Sequence, residues 1–526
     1  MKKIEIYDTT LRDGTQGEGI SFSSLDKIKI ALRLDKLGVS YIEGGWPGSN
    51  PKDMEFFAKI RSIPLKKAKI SAFGSTRKGN IKVEKDFNIK ALMDSKAPVI
   101  TIFGKSWELH VKDALRVSLE ENIKMIYDSV SYPKSKGRYV IYDAEHYFDG
   151  FKANRDYALK TLEAAKNAGA EVLVLCDTNG GTLPSELAEI IKTTKSSIKA
   201  KYGIHTHNDS GLAVANTVIA VELGCMHVQG TINGFGERCG NANLCSIMPV
   251  LQLKLGFRCV SDKNLKTLTD VSYFVNEIAN VIPSKNEPFV GESAFAHKGG
   301  IHVDAVMKNI KTYEHISPEL IGNKRRVLLS DLSGKSNIKY KTSEMGFEEE
   351  FEPSHLREIA NEIKLKEHRG YLYEDAEGSF ELLVREKKGK KEEFFELEGF
   401  RVIIETRPKK ESYSEATIKL KVKGITEHTA AEGDGPVNAL DNALRKALEK
   451  FYPNLKKMHL TDYKVRVLEG KNGTKAKVRV LIESANKKQT WGTVGVSENI
   501  IQASWEALVD SINYHLLKDK STREKK

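Results

Sequence analysis

The sequence of 526 residues is poor in cysteine and has no long apolar segment. Its five cysteines, at positions 176, 225, 239, 245 and 259, form no CxxC pair, which argues against a disulfide framework and a thiolate zinc finger. No apolar run reaches about 18 residues, so no membrane-spanning helix is expected. A strand-like segment begins at Ile4 and leaves no room for a signal peptide. We therefore expect a cytoplasmic protein with no membrane partner.

Basic residues outnumber acidic residues by 83 to 71, which gives a formal net charge of +12. A nucleic-acid surface needs Lys and Arg gathered on one face, with aromatic residues between them. Here the two signs are mixed, as in the stretch from Lys387 to Glu393. This pattern predicts a solvated, salt-bridged surface and no nucleic-acid partner.

Eight short β-rich segments recur through the first half of the chain, and helical patterns such as Ser24–Leu37, Asn154–Ala168 and Ser185–Lys195 lie between several of them. The segments are Ile4–Asp8, Val39–Gly44, Ile70–Gly74, Val99–Gly104, Tyr139–Ala144, Val172–Asp177, Tyr202–His207 and His227–Gly234. Eight strand–helix units predict an α/β fold, namely a (β/α)8 TIM barrel. An open doubly wound sheet is the alternative, but no GxGxxG motif follows the first strand.

Polar residues follow six of the eight predicted strands. In a TIM barrel the carboxyl ends of all strands meet at one face, where the active sites of this fold lie. The polar groups are Asp8–Gly14, Glu43, Asp143–His146, Asp177–Asn179, His205–Asp209 and Asn233. The sequence thus predicts a functional site at this face.

A metal site is predicted around His205 and His207. Side chains alternate along a strand, so both imidazoles point to the same side, about 6–7 Å apart at their Cα atoms. Asp13, after the first strand, and Asn241, in the Gly-rich loop after the eighth, offer oxygen ligands. This nitrogen and oxygen set suits Zn, Mn or Mg. Cys239 and Cys245 match no zinc motif and are interpreted as buried thiols.

Four segments together resemble the acyltransferase family that condenses acetyl-CoA with 2-oxo acids, which comprises the 2-isopropylmalate, homocitrate and citramalate synthases. The segments are Asp8–Gln16, His205–Asn216, Asn233–Ala242 and His297–Asp304. The resemblance extends over essentially the whole chain. It implies an acetyl-CoA:2-oxo acid C-acetyltransferase with a divalent metal ion. The metal ligands implied are Asp13, His205, His207 and Asn241.

The same resemblance implies roles for residues at the strand ends. Arg12 would pair with the substrate carboxylate or its developing oxyanion, and Gln16 and Thr178 would also bind substrate. Glu145 would be a catalytic carboxylate. Each has a structural alternative: a salt bridge for Arg12, a helix cap for Thr178, and a buried partnership with Arg12 for Glu145.

Two further catalytic residues, His302 and Tyr313, lie beyond the barrel. In relatives the equivalent residues come from a linker region and reach the active site of the partner subunit. His302 would belong to a proton relay around the acetyl methyl group; the alternative is a histidine in a surface loop.

The 2-oxo acid is expected to be pyruvate. The stretches Glu43–Asp53 and Cys176–Gly181 look most like the citramalate synthase branch of the family, in which the product leads to isoleucine. Relatives often carry Glu at the position of Thr15 and a Ser-Gly pair where Lys298–Gly300 stands. Because of these differences, the substrate preference of the isopropylmalate synthases is not transferred to this sequence. The alternatives are 2-oxoisovalerate, used by isopropylmalate synthases, and then 2-oxoglutarate, used by homocitrate synthases.

The length predicts about three domains. We expect a catalytic barrel over residues 1–270, linker subdomains over 271–386, a regulatory and dimerisation domain over 387–520, and a basic tail over 521–526. The third of these reads as an α+β domain with an internal duplication, each half ending in an amphipathic helix. The strands and helices expected there are Phe395–Thr406, Ala416–Val422, Val437–Phe451, Tyr463–Leu468, Ala476–Glu483, Trp491–Val496 and Glu498–Leu517.

The turn at Gly433, Asp434 and Gly435 resembles the effector-binding segment of the same family. It implies a homodimer and feedback inhibition by an amino acid, isoleucine if the product is citramalate. The turn could instead serve only to start a helix, or the domain could only dimerise. An aldolase or a pyruvate carboxylase domain shares the barrel and the HxH pair, but lacks the His302 segment and the C-terminal repeats.

Overall fold

A computed structural model describes residues 2–330, 332–347, 351–406, 413–468 and 475–524. The chain divides into two compact units. Unit 1 comprises Met1–Phe295 and Ile316–Arg325, and unit 2 comprises Ala296–His315 and Arg326–Lys526. The predicted domain limits at residues 270 and 386 stay predictions.

Unit 1 is a closed barrel of eight parallel strands in sequential order, which confirms the predicted fold class. The strands are β1 Glu5–Asp8, β2 Tyr41–Gly45, β3 Lys69–Ser75, β4 Val99–Lys105, β5 Tyr139–Glu145, β6 Val172–Asp177, β7 Tyr202–Thr206 and β8 His227–Gly230. The barrel closes through the pairing of β1 with β8, in which Ile6 lies opposite Val228. Strands covered on both faces are short and rich in buried aliphatic residues, as in Val172–Leu175 of β6.

Helices surround this barrel and pack their apolar faces onto it. They are α1 Ser24–Leu37, α2 Pro51–Ile60, α3 Phe87–Asp94, α4 Glu108–His110, α5 Leu119–Ser135, α6 Tyr147–Ala153, α7 Arg155–Asn167, α8 Pro184–Ser197, α9 Ala213–Glu222, α10 Leu244–Pro249, α11 Asp262–Leu265 and α12 Leu268–Ala279. Ser23 and Asp26 form a capping box that starts α1 at the predicted residue.

The eighth strand ends earlier than predicted. It stops at Gly230, and Ile232–Gly234 forms a 3-10 turn instead of continuing to Gly234. Asn233 and Gly234 have φ angles of 61° and 69°, in the left-handed region that a strand does not use. Strand β7 likewise ends at Thr206, and His207 forms an isolated bridge with Asn241.

Unit 2 begins with short strands and helices and continues into the duplicated region. Its first elements are β9 Ala296–His297, α13 Gly300–Lys308, β10 Arg326–Val327, α14 Lys335–Glu344, α15 Pro353–His368 and α16 Glu377–Lys387. The duplicated elements are β11 Glu396–Glu405, β12 Tyr413–Val422, β13 Ile425–Gly433, α17 Pro436–Leu448, β14 His459–Val467, β15 Val478–Ala485, β16 Thr490–Ser497 and α18 Ile500–Glu524.

The two halves of the duplication share one architecture, a three-stranded antiparallel sheet followed by a helix. The prediction of two strands in the first half was incomplete because β13 was missed. The segment of β13 contains Thr, Glu, His and Ala, which give a weak strand signal, but it pairs with β12 along its whole length. Alternate residues of β12, from Ala416 to Val422, are buried in the same apolar cluster as α17.

Among the described residues, no helix is long and apolar enough to cross a membrane. Of the predicted basic tail, Lys525 and Lys526 lie outside the described residues, while α18 extends to Glu524.

Candidate metal centre and substrate cavity

Asp13, His205 and His207 come together at the carboxyl ends of the barrel strands. The Nε2 atoms of the two histidines are 3.2 Å apart, and Asp13 Oδ2 lies 3.4 Å from His205 Nε2. All three side chains are buried, and one ligand atom from each falls within 4.8 Å of the others. The geometry can chelate one metal ion.

The loop after β8 brings Asn241 to this cluster. Asn208 N–H donates to Gly240 O at 2.9 Å, next to the bridge between His207 and Asn241. Gly240 has a φ of 88°, and a Cβ atom there would lie 2.0 Å from Gly234 O, so the tight loop requires glycine. This explains the Gly-rich segment on which the prediction of Asn241 depended.

Hydrogen bonds that involve Gln229 and Asp143 set the tautomer of His205. Gln229 Nε2 donates to Asp143 Oδ1 at 3.0 Å, so Gln229 Oε1 is left to accept from His205 Nδ1, also at 3.0 Å. His205 Nε2 then carries a lone pair, and this atom faces both Asp13 and His207 Nε2. Burial lowers the pKa of His205 to about 3, so the imidazole is neutral, as a metal ligand must be. Gln229 and Asp143 were missed as supporting residues; Asp143 appeared only as a polar strand end.

The cluster fits a divalent metal ion on three grounds. Burial lowers the pKa of His207, which favours a second neutral imidazole. Burial opposes ionisation of Asp13, but Arg12 and the histidines hold its pKa below the usual value. Among the described residues, His207 Nδ1 and Asn241 Oδ1 are buried without a hydrogen-bond partner, and such atoms are costly unless they meet a ligand. The four ligand roles stay predictions.

Arg12 lies beside the cluster and is held by a buried carboxylate. Its Nε donates to Glu43 Oε2 at 2.6 Å, and its guanidinium carbon lies 3.7 Å from the centre of the Phe73 ring. Glu43 is fully buried and also accepts from Tyr7 OH at 2.8 Å. The alternative that Glu145 is the buried partner of Arg12 is wrong: Glu145 pairs with Lys105, and Glu43 takes that place.

A cavity of about 190 Å³ opens over the cluster and is lined by Arg12, Gln16, Glu145 and Thr178 as well. Thr178 Oγ1 accepts a hydrogen bond from His146 N–H at 2.9 Å, so its own proton can be donated to another group. The capping alternative for Thr178 is wrong, because α8 starts at Pro184 and Leu183 takes the position before it.

The wall of the cavity includes three aromatic rings. Phe73 and Phe103 stack with their centroids 5.0 Å apart, and Trp46 meets both edge-on at 5.9 and 5.4 Å. Arg238, missed in the sequence, lines the cavity too; it donates to Thr178 O at 2.8 Å and pairs with Asp209. The wall therefore combines an aromatic part with charged side chains of both signs.

The remaining predicted residues lie in unit 2, apart from the two cysteines. His302 and Tyr313 have ring centroids 4.2 Å apart, and both side chains are exposed. Both residues belong to unit 2, and the catalytic roles of this pair stay predictions. Cys245 is buried as interpreted, but Cys239 is exposed, because it sits at the outer part of the Gly-rich loop.

The predicted effector turn joins β13 to α17. Asp434 N–H donates to Asn438 Oδ1 at 3.2 Å, and a Cβ atom at Gly433 would lie 2.4 Å from Ala439 N. Gly435 precedes the first residue of α17. The turn therefore has a structural role in starting the helix, and effector binding there stays a prediction.

The fold and the site together define a class of protein. This is a (β/α)8-barrel enzyme with a candidate site for a divalent metal ion, formed by a carboxylate and two neutral imidazoles. Residues 3–275 match the family model described as HMGL-like, and the chain belongs to this family. Residues 289–370 match the homocitrate synthase post-HMGL domain-like model, and residues 374–516 match the LeuA allosteric (dimerisation) domain.

Relatives match this chain over nearly its whole length. A protein of Geobacter sulfurreducens named (R)-citramalate synthase is 58% identical, with 99% of each chain covered. A protein of Aquifex aeolicus with the same name is 56% identical, again with 99% of each chain covered. A protein of Methanocaldococcus jannaschii named 2-isopropylmalate synthase is 35% identical, with 98% of this chain and 95% of the relative covered.

Proposed function

We propose that this protein is an (R)-citramalate synthase, which condenses acetyl-CoA with pyruvate and hydrolyses the thioester to release citramalate and CoA. The observation that carries the proposal is the placement of Arg12 beside the Asp13, His205 and His207 cluster in one small cavity. The names of the full-length relatives support the substrate assignment. The reaction would begin the pyruvate route to isoleucine through 2-oxobutyrate, in the cytoplasm.

The cavity can hold a 2-oxo acid by its two polar ends. A divalent metal ion held by Asp13, His205, His207 and Asn241 would polarise the 2-oxo carbonyl, which is worth several kcal/mol. One edge of the Arg12 guanidinium group is bonded to Glu43. The other edge can bind the substrate carboxylate or the developing oxyanion. The Thr178 hydroxyl donates to the bound acid, and Gln16 lines the same cavity.

Carbon–carbon bond formation also needs a proton taken from the acetyl methyl group. We assign this task to Glu145 at the cavity and to His302 with Tyr313, whose rings are in contact. A positioned base contributes about 10²–10⁴-fold to the rate. His302 and Tyr313 would act from the partner subunit, with acetyl-CoA as the second substrate.

The decisive experiment measures CoA release with metal supplied, for pyruvate, 2-oxobutyrate, 2-oxoisovalerate and 2-oxoglutarate in parallel. We expect pyruvate to have the highest kcat/KM, and we expect His207→Ala to abolish turnover and weaken metal binding. No turnover with any acid would refute the proposal. A preference for 2-oxoisovalerate would keep the family and favour 2-isopropylmalate synthase, the name of the more distant relative.

The aromatic wall suggests how a small acid is selected. Phe103 packs against Phe73 and Trp46 and lines the same cavity as the metal cluster. Phe103→Ala opens space near the acid, so kcat/KM for 2-oxobutyrate relative to pyruvate should rise by about 10–200-fold per methylene accommodated. The matched control is Phe87→Ala, an exposed phenylalanine of α3 that should leave the ratio unchanged. An unchanged ratio in Phe103→Ala would remove the wall from substrate selection.

We assign regulation by an amino acid and assembly into a homodimer to unit 2. The match to the LeuA allosteric (dimerisation) domain supports a homodimer, and isoleucine is the expected inhibitor if citramalate is the product. Gly433, Asp434 and Gly435 are the proposed effector segment. Inhibition curves with isoleucine, leucine and valine test this assignment, and inhibition by leucine alone would contradict it.

A further inference from the structure

The stretch Glu43–Asp53, by which the sequence most resembles the citramalate synthase branch, brings an aromatic residue to the barrel cavity. Trp46 follows β2 directly, lines the cavity and is half-buried. Its ring meets Phe73 and Phe103 edge-on. Because the indole is the largest of the three rings, its position decides how much room the wall leaves for a substrate.

The indole of Trp46 is held by an amide from outside the cavity. Its Nε1 donates to Asn88 Oδ1 at 2.6 Å. Asn88 lies on α3 rather than in the lining of the cavity. Its Nδ2 donates to Ser75 O, at the end of β3, also at 2.6 Å, so the amide oxygen is the end that faces the indole. Asn88 therefore ties the ring of Trp46 to the barrel.

Two glycines make room for this amide. A Cβ atom at Gly74 would lie 2.9 Å from Asn88 Oδ1, and a Cβ atom at Gly48 would lie 3.1 Å from the same oxygen. The side chain of Asn88 thus fits closely between the end of β3 and the loop after β2. A side chain held by two hydrogen bonds and by close packing has little freedom to move, which is what a rigid support for a binding surface requires.

The backbone of Trp46 is fixed as well, by a buried ion pair. Its N–H donates to Asp53 Oδ2 at 2.8 Å, and Asp53 Oδ1 accepts from Lys27 Nζ at 2.5 Å. Lys27 Nζ also donates to Gly44 O at 3.1 Å, and Lys27 and Asp53 are only 1% and 4% exposed. A Cβ atom at Gly45 would lie 2.4 Å from Asp53 Cγ, so the carboxylate can approach only because this residue is glycine. With its backbone fixed, the Trp46 side chain can move only about its own torsions, and the bond to the amide restrains them.

We propose that Asn88 is a positioning residue that acts through Trp46 to limit the size of the 2-oxo acid. This role rests on the proposed function, in which the acid occupies the barrel cavity. A tethered indole keeps the wall close to the carbon chain of pyruvate, whereas a free indole can turn aside for a longer chain. Because Asn88 is not part of the lining, its loss changes the fit of the acid and leaves the metal ligands in place.

The first test compares kcat/KM for 2-oxobutyrate, which is one methylene longer, with kcat/KM for pyruvate in Asn88→Ala. We expect the ratio to rise by about 10-fold, the low end of the discrimination that one methylene in an apolar pocket provides. The rise should come mainly from a lower KM for 2-oxobutyrate, because the variant changes binding and not the chemical step. Asn88→Leu keeps a similar volume but can neither accept nor donate these bonds, so it should raise the ratio as well.

A double variant shows whether Asn88 acts through the indole. Phenylalanine has no N–H to donate, so Asn88→Ala should change the ratio no further in the Trp46→Phe background. The matched control is Asn323→Ala, which removes an amide of unit 1 that donates to Phe289 O and Gly291 O at 2.8 and 3.0 Å, away from the cavity lining. This control should keep the wild-type ratio.

Fluorescence measures the tether without turnover. The emission of Trp46 is the difference between a protein and its Trp46→Phe variant, and acrylamide should quench it more strongly in Asn88→Ala than in the wild type. The proposal is overturned by an unchanged ratio in Asn88→Ala and Asn88→Leu, by unchanged quenching, or by the same effect of Asn88→Ala in the Trp46→Phe background. A wild-type protein that turns over none of the acids would refute the proposed function and the size limit with it, while the quenching result still decides the tether.

Discussion

His205 is oriented by two successive hydrogen bonds, which link it to Gln229 and Gln229 to Asp143. Asp143 accepts from Gln229, and Gln229 accepts from His205 Nδ1, each at 3.0 Å. Both supporting residues are buried, and Asp143 also lines the cavity. Outer hydrogen bonds of this kind fix the ring orientation and raise the basicity of a ligating histidine.

Replacing Gln229 by Leu should therefore weaken metal binding without unfolding the barrel. We expect the affinity for Zn, Mn or Mg to fall about 10–100-fold, because His205 loses the acceptor that holds its tautomer. Titration of the metal-free protein in the presence of a competing chelator measures this. Gln252→Leu is the matched control, since Gln252 Oε1 also accepts two hydrogen bonds in the barrel, from Cys259 and Val260 N–H, away from the site. Equal affinities in the two variants would contradict the role of Gln229.

Arg12 shows which part of a site escapes sequence reasoning. The family resemblance implied a substrate-binding role for Arg12, which a guanidinium group suits. Its partner Glu43 is 31 residues away, and only the closed barrel brings the two side chains together. Glu145 and Glu43 both end strands, so a one-dimensional pattern could not choose between them.

The turn between β13 and α17 is an element boundary at which two neighbouring glycines differ in role. A Cβ atom at Gly433 would lie 2.4 Å from Ala439 N, whereas nothing lies within 4 Å of a Cβ atom at Gly435. Gly433→Ser should thus lower the unfolding free energy of unit 2 by about 1–3 kcal/mol through overpacking. Gly435→Ser is the control; its φ of −162° is extended and serine is a preferred N-cap, so stability should hold or rise slightly. Urea unfolding of both variants measures this difference, and equal urea midpoints for the two variants would contradict the steric argument.

The elements that were predicted well carry strong local signals. Strand β6 is a run of buried Val and Leu, and α1 begins at a capping box, so both match their predicted bounds. The misses have weak or misleading local signals: β13 is polar and alanine-containing, and the end of β8 depends on the left-handed conformation of Asn233. Pairing with β12 makes β13 a strand, and the backbone conformation at Asn233 prevents β8 from continuing.

At the scale of the whole molecule, the net charge of +12 is spread over a paired surface. Exposed pairs one helical turn apart, such as Lys112 with Glu108 at 2.8 Å and Lys308 with Asp304 at 2.6 Å, follow the mixed-sign pattern of the sequence. Each such pair contributes only about 0–1 kcal/mol to stability. The mixed-sign pairing fits the solvated surface predicted from the sequence, and the absence of a nucleic-acid partner stays a prediction.

The first strand of each repeat instead presents apolar residues to solvent. Strands β11 and β14 are edge strands, and Ile404 and Val467 are 58% and 55% exposed. Ile403, next to Ile404, is exposed as well, so apolar residues on both sides of the strand are exposed near the end of β11. Exposed apolar edges of this kind favour association with another chain. Together with the match to a dimerisation domain, they support the proposed homodimer.

Introducing charge at these edges should dissociate the proposed homodimer. In the double variant Ile404→Lys with Val467→Lys, two lysines from each copy would be buried in the interface, and we expect light scattering after gel filtration to show a monomer. Phe87→Lys, on the exposed start of α3 in unit 1, is the matched control and should stay dimeric. If His302 acts in the site of the partner, the monomer should also lose CoA release while its barrel still binds metal. A variant that remains dimeric would place the interface elsewhere, and a monomer with full turnover would show that His302 is not needed from a second copy.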